Sequence, residues 1–394
     1  MVPRILIITR VFASFTHCRS TQFQLGSLQQ HKHHASLFMF NTFTSAEDSH
    51  KGDTFTVSYL SNSCGLSLEL ARKLSKRVNL KTPNGPNAVL DTLKNYGFSK
   101  YQVAKLVEKN PRLLVASVEK TLLPKLKFFN SIGVSNTVIH KIAHENPLIL
   151  LRSLGKCLVP RYEIIRSVVR DDLEVVRVLK NAPLGFTYCD LLNDLVPNIG
   201  ILRQYGVPQG SISLLMVNFP SAAMVKHSRF VEVVERVKKF GFDHKKTTFV
   251  MAIQVLLTMR KGAWESRFEI YEKWGWNWEM TLQAFVKFPN FMKLSEETIT
   301  KKMTFLVKDM GLSSLDIAAC PPVLAYNLEK RIIPRFSVIK ILKSKNLLKS
   351  NMSFSSYMGF TEEIFLKKFV IDFQEHLPLL PDVYNGLIHH DDVK

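Results

Sequence analysis

Lys125, Arg161, Arg267 and Arg335 stand at matching places in a pattern that recurs along the chain. Each follows by one position an anchor residue: Pro124, Pro160, Ser266 and Pro334. The same place holds Asn198, Val233 and Met303 in the other copies, so four of seven positions are basic. The chemistry open to such a set is neutralisation of phosphate. If the anchors open helices, each cation sits in a first helical turn. The macrodipole disfavours positive charge there by roughly 0.3–1 kcal/mol. A cation kept at such a place implies a compensating anion, and helix N-termini bind phosphate through free N–H groups. The competing reading has these side chains extend past the helix end into water.

Further cations flank the same expected helix starts: Lys120, Arg152, Lys156, Lys226, Arg229, Lys330 and Arg331, with Lys302 at an anchor itself. The expected nucleic-acid-binding set is Lys120, Lys125, Arg152, Lys156, Arg161, Arg229, Arg267, Lys302, Lys330 and Arg335. Arg166, Arg203, Lys238, Lys308 and Lys340 lie six positions after their anchors, well away from the apolar stripe, and read as a solvated face.

Other chemistry is thin. All four tryptophans fall within "WESRFEIYEKWGWNWEM", 264–280. Aromatics can stack on bases, but Trp274 falls on the apolar stripe, which leaves Trp276 and Trp278 as the looser pair. "HKHHASL" and the final "HHDDVK" hold histidines that could chelate a metal, and read instead as spare presequence residues and a frayed tail. The five cysteines form no CxxC pair, so neither a zinc site nor a disulfide framework is indicated. No P-loop, HExxH, GxSxG or GxGxxG occurs. Asp171-Asp172 and Glu362-Glu363 suit helix starts. An enzyme is not expected, and no cofactor is.

The elements that must carry these cations follow from two series of anchors. "VEKNPRLL" and "AHENPLIL" place Pro111 and Pro147 36 residues apart, and the series continues at Pro183, Pro220, Pro289 and Pro321. A second series runs Pro124, Pro160, Pro197, Glu232, Ser266, Lys302 and Pro334. Nine residues after each second anchor stand Gly133, Val169, Gly206, Gly241, Gly275, Gly311 and Lys343. A period in this range signals a solenoid. Within a unit, one helix ends at the first proline, because the residue before proline is pushed out of the helical region. An apolar link follows. The second proline opens the next helix, and glycine supplies its left-handed C-cap. Offsets five and eight from the second anchor are apolar: Phe129, Ile165, Leu202, Val237, Tyr271, Val307 and Ile339, then Ile132, Val168, Tyr205, Phe240, Trp274, Met310 and Leu342. On the first helix, capped by Ser99, Val103, Leu106 and Val107 form the apolar face.

Composition supports a large folded core: 394 residues, 46% hydrophobic, 22% charged. No apolar run approaches the ~18 residues of a membrane span. Net charge is +20. The first 46 residues contain four basic residues and no acid, and are rich in hydroxyls. They read as an organellar transit peptide, with the Arg-led "RILIITRVFASF" favouring the mitochondrion over the chloroplast. Removing them leaves 49 basic against 33 acidic residues, +16, so the basic character belongs to the remaining chain. Such an excess favours an acidic partner.

"SYLSNSCGLSLELA" (58–71), "VLDTLKNYGFSKYQVAKLVEKNPRLL" (89–114) and "EKWGWNWEMTLQAFVKFPNFM" (272–292) resemble the plant mitochondrial transcription termination factor (mTERF) family. The resemblance covers roughly residues 57–376. It implies an all-α, right-handed-type helical-repeat solenoid, curved, whose basic concave groove binds nucleic acid in mitochondria or chloroplasts. Two units depart from the pattern. "KTTFVMAIQVLLTMRKG" lacks its first proline, and the second unit has Val169-Arg170 in place of glycine. The expected organisation is a transit peptide over 1–46, a repeat array over 57–345 and capping helices with a tail over 346–394. The expected partner is double-stranded DNA or structured RNA, with no membrane, and the chain is expected to be a monomer. The leading reading is a DNA-binding factor acting in organellar transcription, including termination. RNA binding for splicing or ribosome assembly, and a protein-binding scaffold, are the alternatives.

Overall fold

A computed structural model describes residues 46–260, 262–348 and 352–392. The segment read as a transit peptide lies outside these, apart from Ala46. The unit from His50 onward is all helical among its described residues. Its first helices end where the proline series demanded. Lys100–Lys109 stops at Asn110, Asn136–Glu145 at Asn146, and Trp278–Lys287 at Phe288, each directly before a proline. Ser99 and Gln102 form a full capping box on the first of these, and Val103, Leu106 and Val107 are buried as expected.

The apolar links after Pro111, Pro147, Pro289 and Pro321 are single 3-10 turns, such as Pro111–Val115. Pro183–Tyr188 and Pro220–Ala223 are short α turns in the same place. The 3-10 links bury an apolar pair, for example Leu113 with Leu114 and Phe291 with Met292. The unit without a first proline runs straight from Thr247 to Thr258 with no link turn.

The second helices differ from expectation at their start. The second proline does not open the helix. Helical turns begin six residues earlier, at Val118, Leu154, Leu191 and Leu328, capped by Ser117, Ser153, Asp190 and Asn327. In all four, the turn just ahead of the proline is a widened π turn, as in Val118–Leu122, followed by the α segment Leu123–Ser131. A proline ring inside a helix clashes with the carbonyl four residues back, and opening that turn by one residue removes the clash. Units with no proline there, His227–Lys239 and Glu296–Thr304, start as plain α-helix.

The glycine ends match the reading. Gly133, Gly206, Gly241, Gly275 and Gly311 all have positive φ, between 67° and 84°. Val169 instead takes an extended conformation (φ −100°), and Asp171 caps the next helix at once. Offset five is the true core line: six of its seven residues are buried and Val307 is half-buried. Offset eight is less so, with Tyr205, Phe240, Trp274 and Met310 only half-buried.

Long side chains staple several units to the next by closing orphan carbonyls at helix C-termini. Lys109 Nζ donates to the His144 carbonyl, Asn181 Nδ2 to that of Val217 (3.1 Å), and Lys287 Nζ to that of Ala319 (3.1 Å). Asn146 Nδ2 donates across to the Pro183 carbonyl (2.9 Å) and to Thr187 Oγ1 (2.6 Å).

Candidate nucleic-acid interface

Lys125 and Arg335 are turned inward, and Arg161 and Arg267 are half-buried. Lys125 is 3% exposed, and its Nζ donates to the Thr121 carbonyl at 2.7 Å. Arg335 is fully buried. Its Nη1 reaches the carbonyls of Tyr357, Met358 and Phe360, and its Nη2 reaches Glu362. Lys302 is 6% exposed and donates to the Leu324 and Tyr326 carbonyls at 2.7 and 2.6 Å. Arg161 is half-buried and donates to Cys157 and Cys189 carbonyls. Asn198, the neutral member, donates to the carbonyls of Ala223 and Val225.

The compensation expected of an anion is supplied inside the protein, by carbonyl dipoles. Cys189, Tyr326 and Phe360 are the C-caps of the following unit's short link helix. The negative end of that helix and its unpaired carbonyls sit against the cation. For Arg161, Lys302 and Arg335 a single arrangement offsets two liabilities: a cation withdrawn from water and orphan acceptors at a helix end. Burial pushes the Lys125 and Lys302 ammonium groups below their usual pKa, as carbonyl partners carry no full charge.

The widened turns also explain why Lys302 stands one position earlier than its counterparts. Lys125, Arg161, Asn198 and Arg335 come eight residues after their caps, whereas Lys302 comes seven after Ser295, in the unit that lacks the extra π residue there. Arg229 and Arg331 do related work from the link side, donating to Leu257 and to Met358 and Phe360 carbonyls. Arg267 is half-buried, and its Nε is shut away from solvent without a hydrogen-bond partner. Five candidates are thus withdrawn from an interface: Lys125, Arg161, Lys302 and Arg335 by carbonyl bonds, and Arg267 by partial burial.

Lys120, Arg152, Lys156, Arg229 and Lys330 are exposed. Three of them share one structural position. Lys120, Lys156 and Lys330 are the third residues of their helical starts, with their backbone N–H groups held by Ser117, Ser153 and Asn327. Arg229 has the same spacing from Lys226, the N-cap of its helix. Arg152 lies one residue before a cap, with its guanidinium 5.1 Å from the Tyr188 ring. Lys226 is exposed and paired with Asp194 at 3.0 Å. A sequence signal exists for the three lysines: Ser or Asn seven residues before the second proline, with a lysine three positions on.

The aromatic cluster is mainly core. Trp264 and Trp276 are buried, and Trp276 Nε1 donates to Ser314 Oγ at 2.8 Å, which ties two units together. The sequence reading of Trp276 as loosely held is corrected. Trp278 is 55% exposed, stacked on Phe268 with centroids 3.9 Å apart. Of the solvated set, Arg203, Lys238, Lys308 and Lys340 are exposed, and Arg166 is half-buried against Asp172.

Helix pairs joined by a proline-started link, stapled to their neighbours through helix-end carbonyls, define an all-α helical-repeat solenoid. Among the described residues no helix is long and apolar enough to cross a membrane. A sequence model of the mTERF family matches residues 90–255 and 252–366, and the chain belongs to that family. It is similar to a protein of Arabidopsis thaliana named transcription termination factor MTERF8, chloroplastic, with 21% identity over 173 residues. That match spans 44% of this chain and 34% of the relative, about a third of the relative's length.

Proposed function

We propose that the chain is an organellar nucleic-acid-binding factor that docks duplex DNA and acts on transcription, including termination. The observation that carries this reading is the set of exposed cations at one recurring place in the helix starts, Lys120, Lys156 and Lys330, on a chain that keeps +16 without its first 46 residues. These are first-turn cations without carbonyl partners of their own unit. A cation in a first turn carries a dipole penalty, and at these positions its relief is open to phosphate. The family and the relative's name support the same class. Phosphate contacts position a protein on a duplex without reading its sequence.

Binding should weaken with salt, log K falling against log salt by ~0.9 per neutralised phosphate on duplex DNA. Replacing Lys120, Arg152, Lys156 and Lys330 by Ala should flatten that slope by about 3–4 units. The matched control replaces Arg166, Arg203, Lys238 and Lys308. Equal flattening by both sets would mean diffuse electrostatics. No change from either set would favour a protein-binding scaffold, and a steeper slope on RNA hairpins than on duplex DNA would favour the RNA reading. The proposed compartment is the mitochondrion, on the acid-free, Arg-led N-terminus. A fusion of residues 1–60 to a fluorescent protein should enter it, whereas cytosolic signal would refute import and plastid signal would change the compartment.

A further inference from the structure

We propose that His389, His390 and Asp391 form a site for a divalent transition metal such as zinc, held on the last long helix of the repeat array. The sequence reading placed these residues in a frayed tail. Instead they dock on Ile333–Ser344. The His390 ring is largely buried, its Nδ1 is 3.2 Å from Ser337 Oγ, and it meets Phe336 edge-on at 5.8 Å.

The hydrogen bonds assign the lone pairs. Lys340 Nζ lies 2.8 Å from His390 Nε2 and 2.9 Å from Asp391 Oδ1. An ammonium only donates, so Nε2 is the unprotonated nitrogen, and the Nδ1 proton is directed to Ser337. The Asp391 backbone N–H donates to His389 Nδ1 (3.4 Å), so that nitrogen also presents its lone pair. His390 Nε2 and the Asp391 carboxylate are therefore already turned toward positive charge, which Lys340 supplies, while a metal would take the His389 lone pair from the long bond to the Asp391 N–H.

The spacing suits a metal. The three donor atoms lie within 4.8 Å of one another. His389 Nδ1 is 3.5 Å from Asp391 Oδ2, and His390 Nε2 is 3.5 Å from Asp391 Oδ1. Tetrahedral zinc, with ligand bonds of about 2.1 Å, separates its ligand atoms by about 3.4 Å. The two 3.5 Å distances run to different carboxylate oxygens, so the imidazoles and one oxygen must draw together, on a segment where His389 and Asp391 are each 62% exposed. Ser337 orients the His390 ring, as outer partners of metal-bound histidines do. The site opens onto a cleft of about 530 Å3 lined by Lys330, Ser337 and Tyr384, which leaves room for water as the fourth ligand. In the metal-free chain Lys340 occupies the cation's place, so a metal must displace it. The inference does not depend on nucleic-acid binding.

The test uses the full chain, stripped of metal, with His31, His33 and His34 changed to Ala so that the N-terminal histidines do not compete. Zinc chloride is titrated against a chromogenic chelator. One zinc per chain is expected. His389→Ala and His390→Ala should each weaken binding by at least about tenfold. Lys340→Met should tighten it by roughly threefold or more, because a competing charge is removed. That gain cannot come from misfolding. Zinc should also raise the thermal unfolding midpoint of the parent and not of His390→Ala. Absence of zinc binding, binding indifferent to both histidines, or no gain from Lys340→Met would each overturn the site.

Discussion

Replacing Arg335 by Ala separates the structural role of the buried cations from the ligand-binding role that their spacing suggested. Arg335 is fully buried, and its guanidinium holds three carbonyls, with Nη1 2.8 Å from that of Phe360, while Nη2 lies 2.8 Å from Glu362. Its guanidinium also lies 4.5 Å from the centre of the Phe365 ring. An acceptor left buried without a partner costs about 1–3 kcal/mol; the Met358 and Phe360 carbonyls keep Arg331 as a donor, so the Tyr357 carbonyl is the acceptor at risk. Glu362 is 56% exposed and can rehydrate, so its lost partner adds little. Lost packing against Phe365 adds to this and water entering the vacated space lowers it, and about 2–4 kcal/mol is expected overall. Lys330, five residues earlier and exposed, should cost under ~0.5 kcal/mol when changed to Ala. Urea unfolding followed by circular dichroism measures both, compared at the midpoint with the slope held constant. DNA titrations over a salt series supply the second axis. Lys330→Ala should flatten the salt slope by about one unit, and Arg335→Ala by none while the protein is folded. A stable Arg335→Ala protein with a flattened slope would show that Arg335 contacts phosphate, and the carbonyl-closing argument would fail.

Lys125→Met should change stability by under ~1 kcal/mol in either direction and leave the salt slope intact, because Lys125 has one carbonyl partner in its own helix and the thioether keeps its apolar stem; a flattened slope in salt titration would contradict its burial. Leu106→Asp places a charge where the side chain is 1% exposed and should cost at least about 4 kcal/mol in thermal or urea unfolding. Burial alone would raise the Glu362 carboxyl, but hydrogen bonds from Tyr384 and Arg335 bring it below its ordinary value of 4.5. A depressed carboxyl contributes stability that is present above pH 4.5 and lost as the pH falls through the lower folded value. The difference in melting temperature between the parent and Glu362→Gln should therefore shrink as the pH is lowered below about 4.5, and a constant difference would show that the charge plays no part.

Much of the architecture was legible in residue types and spacing alone. A residue before proline leaves the helical region whatever surrounds it, so Asn110 and Asn146 ended helices as read. Positive φ favours glycine for local steric reasons, so Gly133 and Gly275 closed theirs. Helical period placed Phe129, Ile165 and Leu202 in the core. These rules act over a few residues, and they carry the repeat, the fold class and the family.

What a charged side chain touches depended on partners 22 to 28 residues away, which only packing of successive units decides. Lys302 and Arg335 looked like surface cations because no local rule reveals that Tyr326 and Phe360 would turn their carbonyls toward them. The π turns ahead of Pro124, Pro160, Pro197 and Pro334 were equally out of reach, since a proline that fits an N1 position also fits a widened turn, and only the preceding cap distinguishes the two. Sequence thus determined where helices stop and which stripe is apolar, because those follow from backbone sterics and period. Tertiary structure decided which cations face solvent, because a helix-end carbonyl stays an unpaired acceptor until the neighbouring unit brings it a donor.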